Sequence, residues 1–114
     1  MLTKTLETIV DAAVMTEKID AKRVHGEYYA SAHEGYGVLA EELHEAAVEM
    51  RDLDSLIREQ LIEDIHENDD QAIIDTLYDV ELYARKLACE AIQVAAVARK
   101  FSETMAKEGK CGAE

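Results

Sequence analysis

The segment Glu41-Glu42-Leu43-His44-Glu45 packs three carboxylates into five residues of a stretch that otherwise has the pattern of an amphipathic helix. At about 100° of rotation per residue, one side of that helix collects apolar residues and is predicted to face a core: Leu39, Leu43, Ala46 and Met50. Glu42, Glu45 and Glu49 follow the edge of this stripe, where we expect partial burial. Buried carboxylates must be paired, hydrogen-bonded or bound to a metal. The alternative interpretation is that these glutamates form a solvent-exposed flank of the helix and bind nothing.

The composition indicates a single all-α domain. The 114 residues are 48% hydrophobic and include no proline or tryptophan, and the abundant Ala, Glu, Leu and Ile favour helix over strand. We predict one domain over residues 1–108 and a flexible tail over 109–114. The N-terminus lacks a signal-peptide core and no apolar run is long enough to span a bilayer, so we predict a cytoplasmic protein without a membrane partner.

The charge balance restricts the classes of ligand. Acidic residues outnumber basic ones 25 to 12, which makes the chain a poor binder of nucleic acid polymers. This balance suits a cation, or a ligand that brings its own cations, and a role in solubility is equally compatible. Two cysteines are too few for a disulfide scaffold, and Cys89, on a helical pattern, is predicted to be a small buried residue.

Two helices are predicted in the first half of the chain. Apolar spacing predicts the first from about Thr5 to Val24, ended by Gly26. Ser31-Ala32-His33-Glu34 has the spacing of a capping box, which predicts that the second helix begins near Ala32 and continues to about Arg51. Glycine at position 35 or 37 also lets another chain segment or a ligand approach closely.

Two further helices are predicted after that point. Asp52-Leu53-Asp54-Ser55 has the composition of a turn with a new N-cap, so a short helix is expected to begin there. The polar run His66–Asp70 then separates it from a long last helix, predicted from about Gln71 to Lys107. Four helices make the expected architecture similar to a four-helix bundle.

The last helix carries a second acidic signal. Its predicted apolar face contains Glu90, and a charge on such a face is costly without a partner. An intrahelical pair with Lys86 is one explanation, but the order Lys before Glu contributes only about a few tenths of a kcal/mol. A cation shared with Glu42 and Glu45 is the other explanation, and it accounts for both acidic motifs at once.

Three stretches together resemble a known family. Ser31–Tyr36, Glu41–Glu45 and Glu90–Ala96 are similar to the MazG-like all-α nucleoside triphosphate pyrophosphohydrolases, especially the short stand-alone members from phages and bacteria. The family pattern is EE-x-x-E followed by E-x-x-D on a later helix. This chain matches the first half in full and departs from the second, because Gln93 stands where the family has Asp.

The resemblance implies a reaction and a site. A nucleoside triphosphate would be hydrolysed between its α- and β-phosphates, giving a monophosphate and pyrophosphate, with Mg²⁺ or Mn²⁺ as cofactor. It implies metal ligation and catalysis by Glu42, Glu45 and Glu90, with the amide oxygen of Gln93 as a fourth metal ligand. Three other residues are candidates for contacts with the substrate: His33, Lys86 and Lys100. Ordinary surface lysines are the alternative for the last two.

Other functions and an assembly state are also compatible with the sequence. Glu41-x-x-His44 and Glu63-x-x-His66 have the spacing of di-iron helical bundles, although the first pair points away from the apolar stripe. A non-catalytic helical protein that binds a partner is the other alternative. The wide apolar face from Val80 to Phe101 predicts a homodimer or homotetramer, as the family resemblance also implies.

Overall fold

The computed structural model describes residues 3–112, with side chains described over 3–107. Its regular structure is entirely helical, and residues 3–112 contain no strand, which confirms the all-α class. The elements in chain order are α1 (Lys4–His25), α2 (Ala32–Ser55), a π-helical segment (Leu56–Leu61), α3 (Ile62–His66) and α4 (Asp70–Gly112).

Local sequence signals set both ends of α1 and the start of α2 as predicted. The Thr3 hydroxyl accepts a hydrogen bond from the Leu6 N–H at 3.1 Å and caps α1. α1 ends at Gly26, whose φ of 94° is accessible mainly to glycine. At the start of α2, the Ser31 hydroxyl accepts from the Glu34 N–H at 3.1 Å, which confirms the predicted N-cap. The Glu34 carboxylate accepts from the Ala30 N–H at 3.3 Å, and not from Ser31 as a full capping box requires.

The turn predicted at Asp52–Ser55 is wrong, because the chain stays helical there. Ser55 has helical dihedrals, φ −61° and ψ −42°, and its side chain makes no capping hydrogen bond. Asp54 instead pairs with Arg58 at 2.6 Å, and the Ser55 hydroxyl donates to Glu59 at 2.9 Å. Both side chains thus bond to the following turn, and α2 passes directly into the π-helical segment.

The predicted polar break between the last two helices is confirmed. α3 ends at His66, and Asn68 adopts a positive φ of 53°, a conformation that asparagine tolerates better than most residues. The Asp69 carboxylate accepts the Ala72 N–H at 3.0 Å and caps α4. α4 continues to Gly112, so the end predicted at Lys107 is wrong. Residues 113 and 114 of the predicted tail lie outside the described residues.

The chain forms two compact units, and α2 and α4 each contribute to both. Unit 1 comprises Met1–Leu43 and Ala91–Glu114, and unit 2 comprises His44–Glu90. The core of unit 1 contains Val14, Tyr29, Ala96 and Val97. The Tyr29 ring meets Phe101 edge to face at 6.3 Å between centroids, and the Tyr29 N–H donates to the Thr104 hydroxyl at 3.0 Å.

Gly35 of α2 allows a close helix contact inside unit 1. A Cβ at this position would lie 2.8 Å from Cδ1 and 2.9 Å from Cγ of Phe101, well inside van der Waals contact. The predicted close approach is therefore to an aromatic side chain of α4. Nothing lies within 4 Å of the same position at Gly37.

A buried carboxylate joins two helical segments of unit 2. Asp64 is 3% exposed, accepts a hydrogen bond from the Thr76 hydroxyl of α4, and accepts another from Gln60 at 2.9 Å. Because these donors satisfy both carboxylate oxygens, the buried charge is compensated. Asp64 therefore connects the π-helical segment to α4.

Three burial predictions are wrong. Glu45, expected to be partly buried, is exposed. Leu43 and Met50, expected to face a core, are 60% and 54% exposed, because the side of α2 that they share is not covered by another described element. Cys89 is exposed and not buried. None of the helices in the described residues combines the length and apolar character needed to cross a bilayer.

Candidate metal site and cavity

Two helices of unit 2 bring carboxylates together. Glu45 on α2 and Glu90 on α4 each offer an oxygen, and these atoms lie within 4.8 Å of each other. Two Mg–O bonds of about 2.1 Å span up to about 4.2 Å, so small side-chain rotations bring both oxygens onto one ion. Glu42, the third predicted carboxylate ligand, lies one turn before Glu45 on α2. It is half-buried.

Glu90 is in an unfavourable environment for a free carboxylate. Its Oε2 atom is buried and receives no hydrogen bond from the described residues, and the same holds for Oε2 of Glu49. Burial raises the pKa of Glu90 above its ordinary value. The charge of Glu45, a side-chain hydrogen bond with Glu45 and the charge of Glu49 raise this pKa further. A bound cation would compensate these charges. Glu49 was not among the predicted ligands, although it lies on the same edge of α2.

Lys86 does not neutralise this group. No ion pair joins it to Glu90 among residues 3–107, and its ammonium lies over the Tyr83 ring, 4.8 Å from the centroid. Lys86 is exposed, as is His33 in the first turn of α2. Lys100, the third predicted substrate contact, is buried in unit 1.

Unit 1 contains a cavity of about 630 Å³ lined by residues of α1, α2 and α4 and by Tyr29 from the loop between α1 and α2. Part of its wall is apolar and includes Ala21, Val24, Val38 and Val97. The polar wall is dominated by carboxylates and includes Glu17, Asp20, Glu34, Glu41, Glu42, Gln93 and Lys100. The size is typical of sites for small molecules.

Lys100 is the principal cation of this wall. It is 1% exposed, and its ammonium lies 4.2 Å from the centroid of the Tyr29 ring. Burial lowers the pKa of Lys100, Lys22 lowers it further, and the charge of Glu34 opposes both. Burial raises the pKa of Tyr29, as do the charges of Glu42 and Glu34. No carboxylate in the described side chains forms an ion pair with Lys100.

Gln93 lines this cavity and contacts a residue that sequence reasoning missed. Its Nε2 donates a hydrogen bond to Oε2 of Glu17 at 2.8 Å. Glu17 follows the buried Val14 by three positions on α1, which places a carboxylate near the core-facing side of that helix. This spacing is a usable signal, but the amphipathic pattern of α1 does not by itself single out Glu17.

Comparisons with known proteins do not place this chain in a family. No family matches this chain, and no curated protein or solved structure was found to be similar to it.

Proposed function

We propose that this protein is a metal-dependent nucleoside triphosphate pyrophosphohydrolase of the MazG-like type. It converts a ribo- or deoxyribonucleoside triphosphate to the monophosphate and pyrophosphate, and it acts in house-cleaning of the nucleotide pool. The observation that carries this proposal is the Glu45 and Glu90 pair, with buried carboxylate oxygens on Glu90 and Glu49 that no described residue hydrogen-bonds.

The donor set fits a hard divalent cation. Mg²⁺ and Mn²⁺ prefer oxygen ligands, and Mg²⁺ usually takes one or two carboxylates together with waters and substrate phosphates. Glu42, Glu45 and Glu90 are the proposed ligands. Gln93, predicted as a further ligand, instead hydrogen-bonds Glu17 in the cavity of unit 1 and is not proposed to hold the ion. When bound, the ion neutralises phosphate charge and lowers the pKa of a coordinated water.

Two features of unit 1 support a nucleotide substrate. Glu42, one of the proposed ligands, lines the cavity. Lys100 presents an ammonium to the same cavity, and an ammonium without a carboxylate partner suits a phosphate oxygen. His33 and Lys86 are retained as predicted substrate contacts, but they are not among the cavity residues.

A nucleotide panel tests this proposal. Standard and modified triphosphates are incubated with Mg²⁺ or Mn²⁺, and pyrophosphate and orthophosphate are assayed separately. We expect equimolar monophosphate and pyrophosphate, no orthophosphate, and full loss of activity with a chelator. Release of orthophosphate alone would place the cleaved bond elsewhere and contradict the proposed reaction.

A second candidate function is that of a non-catalytic helical protein that assembles through its apolar faces. The observation in its favour is the exposure of large apolar side chains on α4 of unit 2, namely Ile74, Leu77, Tyr78 and Leu82. Absence of hydrolysis across the whole panel, together with self-association, would favour this candidate. The di-iron alternative gains no support, because no group of potential metal ligands among the described side chains includes Glu41, His44, Glu63 or His66.

A further inference from the structure

We infer that the cavity of unit 1 binds the base of the nucleotide and selects guanine through the carboxylate of Glu17, which Gln93 holds in position. The choice of a nucleotide as ligand rests on the proposed function. The choice of base rests on the chemistry of the cavity wall alone.

Gln93 fixes the orientation of Glu17. An ionised carboxylate has no proton to donate, so the 2.8 Å contact assigns the amide nitrogen of Gln93 as donor and Oε2 of Glu17 as acceptor. No described residue hydrogen-bonds the other oxygen of Glu17. One oxygen is therefore anchored and the other is available, with unused lone pairs on both.

This arrangement matches one base better than the others. A carboxylate offers two neighbouring acceptors and no donor. Guanine presents two neighbouring donors on its Watson–Crick edge, the ring N1–H and the 2-amino group. Cytosine and adenine place an acceptor beside their amino group, and uracil and thymine flank their N3–H with two carbonyl oxygens. Only guanine among the common bases therefore satisfies both carboxylate oxygens.

The rest of the cavity fits a neutral ring. Val24, Val38 and Val97 provide apolar surface for its faces. The lining contains five carboxylates and one lysine, so it repels a triphosphate that has no metal ion bound. A base carries no charge at neutral pH and is not repelled. This contact also explains why Gln93 stands in place of the Asp of the family motif. An Asp at position 93 would repel Glu17 and could not donate a hydrogen bond to it. Gln93 is thus a positioning residue.

Binding of uncharged nucleosides tests this inference without metal or catalysis. Guanosine and inosine differ only by the 2-amino group. We expect the full-length protein to bind guanosine about 10- to 100-fold more tightly than inosine, as estimated for one hydrogen bond to a charged group. NMR chemical-shift titration gives both dissociation constants and also reports whether each variant is folded.

Two substitutions supply the variant and its matched control. Glu17→Gln keeps the size of the side chain but replaces an acceptor with a donor, so it should abolish the preference for guanosine. Asp20→Asn removes the same charge from the same helix and the same cavity, and it should keep the preference. In steady-state assays with Mg²⁺, the KM ratio of inosine to guanosine triphosphate should fall in Glu17→Gln and stay unchanged in Asp20→Asn.

The outcomes separate this inference from the proposed function. Equal affinity for guanosine and inosine, or equal effects of the two substitutions, overturns the guanine site even if triphosphates are hydrolysed. Selective guanosine binding that depends on Glu17, combined with no pyrophosphate release from any triphosphate, supports the site and overturns the hydrolase. Binding of neither nucleoside at millimolar concentration overturns the inference.

Discussion

Glu90 combines a buried, unbonded oxygen with two acidic neighbours, so its charge destabilises the metal-free protein. We expect Glu90→Gln to raise the melting temperature without metal, because it removes this charge and keeps the shape of the side chain. A gain of about 1 kcal/mol corresponds to a few degrees for a domain of this size. The same variant should lose both the metal-induced rise in melting temperature that we expect for wild type and the proposed hydrolysis. Calorimetry with and without Mg²⁺ measures both temperatures.

Glu41→Gln is the control for that experiment. Glu41 is exposed on α2 and does not belong to the group of potential metal ligands. The substitution removes one charge from the same acidic segment, so a general charge effect would appear in both variants. If both variants respond equally to Mg²⁺, the assignment of Glu90 to the metal site is wrong.

Glu103 shows the opposite electrostatic behaviour. Its Oε1 atom accepts from Lys18 at 3.0 Å and from Lys22 at 3.2 Å. The hydrogen bond from Lys18 has the largest effect, and the pKa of Glu103 falls below its ordinary value of 4.5 despite the opposing effect of burial. A lowered folded-state pKa means that the ionised form stabilises the fold above the unfolded pKa.

Acid unfolding of Glu103→Gln follows from this shift. Near pH 7 the variant should be less stable than wild type by about 1 kcal/mol, since the ion pairs are partly exposed. The difference should shrink as the pH falls below 4.5 and through the lowered pKa of Glu103. Urea unfolding at several pH values measures it, and a difference that stays constant with pH would contradict the prediction.

At the scale of the helices, local signals predicted some boundaries and failed at others. Capping residues predicted the start of α2 because a cap depends on a few neighbouring atoms. They failed at Asp54 and Ser55, where the same side chains bond to the next turn and the helix continues. This segment contains no proline or glycine that would end the helix. Its composition therefore does not show whether Asp54 and Ser55 cap a new helix or form hydrogen bonds within a continuous one.

The candidate site was predictable in part for a related reason. Periodicity identifies the residues that share a helix face, and it placed Glu45 and Glu90 on the sides of α2 and α4 where the structure brings them together. Periodicity does not say which faces pack together or which remain uncovered. The bond from Gln93 to Glu17 and the exposure of Leu43 depend on that packing, and so they were missed.

The contact between α2 and α4 in unit 1 gives a prediction at this scale. Gly35→Ala adds a methyl group 2.8 Å from Cδ1 of Phe101, so the ring or the helix must move. We expect a loss of about 1–3 kcal/mol, as is typical of an overpacked core. Gly37→Ala has open space around its Cβ and should stabilise α2 by roughly 0.5–1 kcal/mol. Chemical denaturation measures both variants.

Phe101→Leu tests whether the ring is the cause. The smaller side chain should recover part of the stability lost in Gly35→Ala, while in the wild-type background it should destabilise by leaving space. If the two substitutions are additive, the contact between Gly35 and Phe101 is not responsible for the effect.

For the whole molecule, two properties act in opposite directions. A net charge of −13 makes two copies repel, which favours a soluble monomer at low ionic strength. Exposed apolar residues on α4 of unit 2, Ile74, Leu77, Tyr78 and Leu82, favour association. We propose that association prevails and that the protein is a homodimer or homotetramer, in which this α4 stripe is covered by a second copy.

The balance between these properties makes assembly depend on salt. Screening shortens the range of repulsion to about 8 Å at physiological ionic strength, while burial of apolar surface persists. Light scattering at micromolar concentration should therefore give a mass of at least two chains, and association should tighten as NaCl rises from low to moderate concentration. Leu77→Asn combined with Leu82→Asn should shift the protein to a monomer.

The matched control is Leu6→Asn with Ile9→Asn, which changes exposed residues of α1 and should leave the mass unchanged. A monomeric wild type at every salt concentration, or equal dissociation of both double variants, would show that the α4 stripe is not the interface.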